Sequence, residues 1–204
     1  MIVLSVEPNF VSPYVFACFV TLKEKKQAFE IDVVHADKGD TMTASYLDKT
    51  LTGRVPTLAH DDFALAESSA IVEYLEDTFP DPPVLPRDRH ARARARQMMS
   101  WLRSDDTAPI REERPATGIF YPSTQRGTPL SDKTKRVAEK LFGVASRVIG
   151  ARSGWSIVDA ELTFMLQRLI TSGDTVPDEL RSFASEQWKR PSIQAYVALE
   201  RPPL

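Results

Sequence analysis

The sequence predicts an α/β unit followed by an all-helical unit, and three observations carry that expectation. An apolar run at Met1–Val6 is followed by a helical pattern and a second alternating run at Ala28–Val34. Two short apolar runs then flank an acidic turn, Asp61-Asp62, and lead into a further helix. Finally, Phe79–Arg87 (FPDPPVLPR) carries four prolines in nine residues, and every periodic pattern beyond it is helical. Proline lacks the N–H that helix interiors and central strands need, so this stretch reads as a linker. The expected division is 1–79, a linker at 80–87, and 88–204.

Met1–Val6 (MIVLSV) reads as a buried strand. Ser12 is a natural N-cap and Pro13 a good first helical residue, so a helix is expected over Pro13–Lys25. Its lysines at 23, 25 and 26 suit the negative end of the dipole. Phe29, Ile31 and Val33 alternate, as a strand requires. Strand, helix, strand at this spacing is a βαβ unit with a parallel pair. Asp37–Thr52 is polar, with helical character near Ala44–Leu51 that Gly53 stops. Pro56–His60 and Phe63–Ala66 form an antiparallel pair, and Ser68–Thr78 a helix with Ile71, Val72 and Leu75 toward the sheet. The order βαβ then ββα is that of a thioredoxin-like domain. In the second half, helices are expected over Asp88–Asp106, Ser131–Ile149, Ser156–Ile170, Pro177–Lys189 and Ser192–Leu199. Pro115–Pro129, with Gly118, Pro122, Gly127 and Pro129, reads as loop.

Composition removes several function classes. Twenty-six Lys and Arg against 28 Asp and Glu give a formal net charge of −2. That balance exerts no global pull toward nucleic acid or an anionic membrane. A single cysteine, Cys18, forbids an intrachain disulfide and suits a reducing compartment. Met1–Val6 lacks a basic leader, and no apolar run approaches a membrane span. The expectation is a cytoplasmic protein.

Three features face chemistry, and each has a plain structural reading beside the functional one. Ser12, at a strand-to-helix turn, is either a cap or a hydroxyl poised at an anion-favouring helix start. Val55-Pro56 is either an ordinary proline opening a strand or a cis bond that turns the Val55 backbone outward for an extended peptide. Glu67-Ser68 either caps the following helix or receives an amino-acid-like end. A capping box there fails, since Ile71 and Val72 stand three residues on. Cys18, inside the first helix and outside any C-x-x-C, reads as core. His35, His60 and His90 have no ligand spacing, so no metal is expected. Arg89, Arg92 and Arg96 share a helix face without aromatic interleaving, which suits a solvated face or a dimer contact.

Taken in order, Ser12 before the first helix, Val55-Pro56-Thr57-Leu58, and Glu67-Ser68 twelve residues after Val55 resemble the glutathione-binding domain of glutathione transferases. The helical second half behind a proline-rich linker is similar to that family as well. Ser156-Ile157-Val158-Asp159 resembles its structural capping motif, with Asp159 in the Glu/Gln place. SPYVFA, RVPTL, ESSAIVEYLED, the RARARQ-to-REERP run and FASEQWKRPSIQAYVAL are similar to its bacterial YfcF-like branch. The resemblance implies the glutathione-transferase fold, with glutathione as co-substrate and no metal. Ser12 would hydrogen-bond the glutathione thiolate, with Tyr14 as rival. Val55, ahead of Pro56, would pair with the cysteinyl part, and Glu67 and Ser68 would hold the γ-glutamyl end. Arg54 is the candidate for the glycine carboxylate, and Lys38 and Lys49 are candidates for a basic residue that many relatives carry. The helical domain would hold a small electrophilic or hydroperoxide substrate near Trp101, Arg103, Arg111 and Arg114. The plain reading of these four is helix packing and ion pairing with Asp105, Glu112 and Glu113. A homodimer is implied. The alternative is a non-catalytic binding or assembly protein on the same fold.

Overall fold

In the computed structural model, which describes residues 1–121 and 128–204, the chain divides into two compact units. One holds Met1–Val84 with Ala195–Leu204, the other Leu85–Gln194. The last ten residues thus return to the first unit, a return that nothing in the proline-rich boundary announces.

The first unit is built on a four-stranded sheet of β1 (Ile2–Val6), β2 (Glu30–Val33), β3 (Thr57–His60) and β4 (Phe63–Ala66), in the order β2-β1-β3-β4. β1 runs parallel to β2 and antiparallel to β3, and β3 pairs antiparallel with β4. β1 is central, and Leu4 and Val6 are fully buried. β2 pairs on one side with β1, and all four of its residues are exposed. The alternation at Phe29–Val33 therefore marks an edge strand and no inner face. α1 (Pro13–Glu24) is buried without a break from Val15 to Leu22. Its apolar residues surround the helix, as expected of one covered on every side. α3 (Ser68–Thr78) buries Ile71, Val72 and Leu75 completely. Between β2 and β3 lie two 3-10 turns and the short α2 (Ala44–Leu47).

The second unit contains α4 (Arg89–Arg103), α5 (Ala108–Glu113), α6 (Thr117–Phe120), α7 (Asp132–Ala151), α8 (Ile157–Thr171), α9 (Asp178–Trp188) and the start of α10 (Pro191–Val197). The loop expected over 115–129 contains α6, a correction. A four-residue helix is too short to leave a periodic signal. Pro122 and Gly127 lie outside the described residues. α8 is buried from Ile157 to Leu169 and forms the centre of this unit. It starts in a reciprocal box. Asp159 Oδ2 accepts from the backbone N–H of Ser156 at 2.7 Å and from its hydroxyl at 3.3 Å, which satisfies donors that the helix start leaves open.

α7 has an analogous device that sequence spacing does not reveal. Glu113, 18 residues earlier, accepts from the backbone and hydroxyl of its N-cap Ser131 and from Thr134 Oγ1 at 2.6 Å. These hydrogen bonds hold the Glu113 carboxyl down at about 2. A carboxyl depressed in the folded state adds stability above its unfolded pKa, and loses it as pH falls from about 4.5 toward 2. Glu113→Gln is expected to cost about 1 kcal/mol above pH 5 after allowance for solvent screening. The deficit should vanish by about pH 2, read as the difference between parent and variant urea midpoints across pH. A deficit independent of pH would remove the charge from this explanation.

Candidate functional site

Strand register brings the three sequence motifs to one end of the sheet. Ser5 pairs with Thr57, and Thr57 with Ala66. β1 leaves this end into the segment that carries Ser12, Pro56 precedes Thr57 at the same end, and Glu67 follows Ala66 there. β2, in parallel register with Val6 opposite Val33, also leaves here toward Lys38.

Ser12 is the N-cap of α1. Its Oγ accepts from the N–H groups of Tyr14 at 3.2 Å and Val15 at 3.3 Å. Both are donors that a helix start leaves without an internal partner. Among the described residues the hydroxyl proton is given no acceptor. The Ser12 backbone is held as well. Its N–H donates to Glu7 Oε1 at 2.6 Å, and its carbonyl accepts from Tyr196 Oη at 3.4 Å. Tyr14 lies in the first turn of the helix.

The Val55-Pro56 peptide is cis. Pro56 is buried, Val55 half-buried and Arg54 exposed. A buried polar knot supports this turn. Tyr46 Oη donates to Thr57 Oγ1 at 3.1 Å and to the Arg54 carbonyl at 3.2 Å, and Thr57 Oγ1 donates to that carbonyl at 2.8 Å. Burial pushes the Tyr46 phenol up, and the nearby Asp32 adds to it. Tyr46 and Glu7 are the residues that sequence reasoning missed. The signal for Tyr46 was an aromatic alone in a polar stretch, and Tyr46 is 8% exposed.

Glu67 stands at the start of α3 with φ 70° and ψ 112°, and its side chain makes no capping bond. It is exposed, while Ser68 behind it is buried. A non-glycine residue held there costs on the order of 1–3 kcal/mol and persists only where its surroundings enforce it. Cys18 is fully buried in α1, its Sγ 3.8 Å from the Ser68 carbonyl. Lys38 and Lys49 are both exposed.

In the helical unit the four residues considered for a second substrate are tied into the scaffold. Arg103 forms a bidentate pair with Glu161, both contacts 2.7 Å, and Arg114 one with Asp174 at 2.6 and 2.8 Å. Arg111 donates to the Leu102 and Ser104 carbonyls, and Trp101 Nε1 to Asp106 at 3.1 Å. The expected partners Asp105, Glu112 and Glu113 are thereby corrected for the two bidentate pairs. Adjacent residues on a helix point apart, whereas Glu161 and Asp174 come from α8 and the turn behind it. Among the described residues no group of three or more His, Cys, Asp or Glu could hold a metal ion. No helix among them is long and apolar enough to cross a membrane.

A thioredoxin-like sheet with an anion-favouring helix start at one end and a separate helical unit defines the glutathione-transferase class of fold, and comparison with known proteins agrees. Residues 10–83 match the family model of the glutathione S-transferase N-terminal domain, and residues 88–201 that of the C-terminal domain. The chain belongs to the glutathione S-transferase family. It is 38% identical to a glutathione transferase homolog from Burkholderia (BGR1), solved with bound glutathione. That match covers 96% of this chain and 95% of the other, with a TM-score of 0.73. A glutathione S-transferase 1 from Dianthus caryophyllus is 40% identical over 74 residues, 36% of this chain and 34% of the relative. A maleylacetoacetate isomerase from Dictyostelium discoideum is 38% identical over 88 residues, 42% and 40% of the two chains. The chain thus spans well under half the length of these two curated relatives.

Proposed function

We propose that this protein is a glutathione transferase of the YfcF-like branch. It binds glutathione on a domain at 1–79 and, behind the linker at 80–87, uses the helical domain at 88–204 for the electrophile. The Ser12 hydroxyl donates a hydrogen bond to the glutathione thiolate. The Val55 backbone pairs with the cysteinyl part, Glu67 and Ser68 hold the γ-glutamyl end, and Arg54 takes the glycine carboxylate. The observation that carries this reading is the register that gathers Ser12, Val55-Pro56 and Glu67-Ser68 at one sheet end. The strained, exposed Glu67 supports it, as does the bound glutathione of the Burkholderia homolog.

A free thiol titrates near 8.5, and lowering it by about two units requires about 2.7 kcal/mol. One charge-assisted hydrogen bond and a helix N-terminus together are of that size. The thiolate sulfur then forms a bond to an electrophilic carbon as the leaving group departs with the electron pair. The protein contributes activation and proximity, with no covalent enzyme intermediate. A hydroperoxide is the other substrate class for the same thiolate. Cytoplasmic location and a homodimer complete the proposal.

The folded protein is expected to be retained on immobilised glutathione, to elute with free glutathione, and to conjugate glutathione to a generic aryl halide. Absence of retention would sink the reading. Retention without turnover of either an aryl halide or a hydroperoxide would favour the non-catalytic alternative.

A further inference from the structure

The segment from Glu7 to Ser12 (EPNFVS) joins β1 to α1 and is fastened from two directions. On one side, Glu7 Oε1 accepts from the N–H groups of both Val11 and Ser12, each at 2.6 Å. On the other, Arg201 donates to the Phe10 carbonyl through Nε at 3.3 Å and Nη2 at 3.1 Å, while also binding the carbonyls of Tyr196, Val197 and Leu199. The Tyr196 ring meets Phe16 and Phe19 edge-on, and its hydroxyl donates to the Ser12 carbonyl. Between these clamps Phe10 is held at φ 47°, a conformation a bulky residue rarely adopts unless the surroundings impose it.

We propose that Glu7 is the positioning residue for Ser12: its carboxylate, with Arg201 as counter-charge, fixes the loop backbone and so the direction of the Ser12 hydroxyl. The inference rests on the role given to Ser12 above. Two features mark Glu7 as more than a turn former. One oxygen takes both N–H donors in short, charge-assisted bonds, and the other is sealed from solvent without a hydrogen-bond partner. A loop that needed only closure could use an Asn or Ser side chain at no such desolvation cost.

The charge has a second consequence. Burial pushes the Glu7 carboxyl up, against the pull of the Ser12, Glu7 and Val11 backbone N–H groups and of Arg201. The other ionisable group facing it, Tyr196, is pushed well up by burial and by Glu7, with Cys18 contributing. An anionic Glu7 beside the helix start opposes a second anion there. The glutathione thiolate and Glu7 are therefore coupled, and removing the Glu7 charge lowers the pKa of the bound thiol.

The test compares full-length Glu7→Ala and Glu7→Gln with the parent, using glutathione and an aryl halide. The bound thiol is titrated by its thiolate ultraviolet absorbance. Misplacing a reacting group by about 1 Å can cost on the order of a hundredfold. Glu7→Ala is therefore expected to lower kcat about tenfold or more while KM for glutathione moves less than about threefold. Glu7→Gln keeps the acceptor oxygen. It should recover most of kcat, with the bound thiol titrating at lower pH than in the parent. Parent-like kcat in Glu7→Ala would overturn the proposal, and so would a Glu7→Gln variant as slow as Glu7→Ala. Should Glu7→Ala not fold, Glu7→Asp takes its place: one methylene shorter, it should lose kcat, and parent-like kcat there overturns the proposal equally. A parent that binds no glutathione fails the functional reading itself. An active parent with an indifferent Glu7→Ala fails this inference alone.

Discussion

Ser12→Ala is expected to lower kcat/KM for glutathione conjugation by an order of magnitude or more while leaving retention on immobilised glutathione largely intact. Removing the hydroxyl deletes the proposed donor to sulfur, and a lost charge-assisted bond is worth about 1.5–3 kcal/mol, roughly ten- to a hundredfold in rate. It also deletes the acceptor for the Tyr14 and Val15 N–H groups. Loss of an N-cap costs stability by about 1 kcal/mol, so the unfolding midpoint should fall modestly as well. The two effects separate by substitution. Ser12→Asn retains a capping acceptor and should restore the midpoint while leaving kcat low. Glutathione binding is expected to survive, because the proposed contacts to the peptide come from Val55, Glu67 and Ser68 on other elements. The pH profile supplies the third readout: in Ser12→Ala the acid limb of kcat/KM should move up toward the free thiol near 8.5. Should Ser12→Ala behave like the parent while Tyr14→Phe is inactive, the thiolate belongs to Tyr14.

Much of this arrangement was legible in the sequence, for identifiable reasons. The Ser12-Pro13 start, the Asp61-Asp62 turn, and the stop at the proline-rich stretch are local signals. Local chemistry fixed α1, the β3–β4 pair and α3 nearly to the residue. The Ser156–Asp159 box was equally readable, because its partners are three residues apart. What escaped notice depends on contacts between distant positions. Glu7 is an ordinary acidic residue in a turn until the fold places its oxygen under Val11 and Ser12. Arg201 has meaning only because the last ten residues return to the first unit. Arg103 and Arg114 had acidic neighbours in sequence, yet they pair with Glu161 and Asp174, 58 and 60 residues away. In the site itself, the spacing of Val55 and Glu67 was visible. The register that brings them to the same sheet end as the Ser12 segment was implied only through the strand order.

Breaking the buried ion pair of Lys25 and Glu76 is expected to be the most damaging single change to stability in the first unit. Lys25 is 1% exposed and Glu76 5%. Lys25 Nζ donates to Glu76 Oε2, which also accepts from the Val84 N–H at 2.9 Å. One carboxylate oxygen thus joins the C-cap of α1, the last turn of α3, and the chain at the end of this unit. The position is unfavourable for Glu76 alone, since a negative charge near a helix C-terminus opposes the dipole. Lys25 offsets that locally and itself suits the C-terminal end of α1. Lys25→Met leaves a buried carboxylate without its cation, and Glu76→Gln leaves a buried ammonium without its anion. Each is expected to cost about 3–5 kcal/mol, since an uncompensated buried charge is the dominant penalty. The double variant Lys25→Met/Glu76→Gln removes both charges and keeps an amide oxygen for the Val84 N–H. It should recover at least half of either single loss, because exchanging a buried pair for neutral groups is often close to neutral. Urea unfolding of the four proteins, followed by far-ultraviolet circular dichroism, gives the coupling energy directly. Additive single losses would show that Lys25 and Glu76 stabilise the unit independently, through packing and through the Val84 bond, and not as a charge pair.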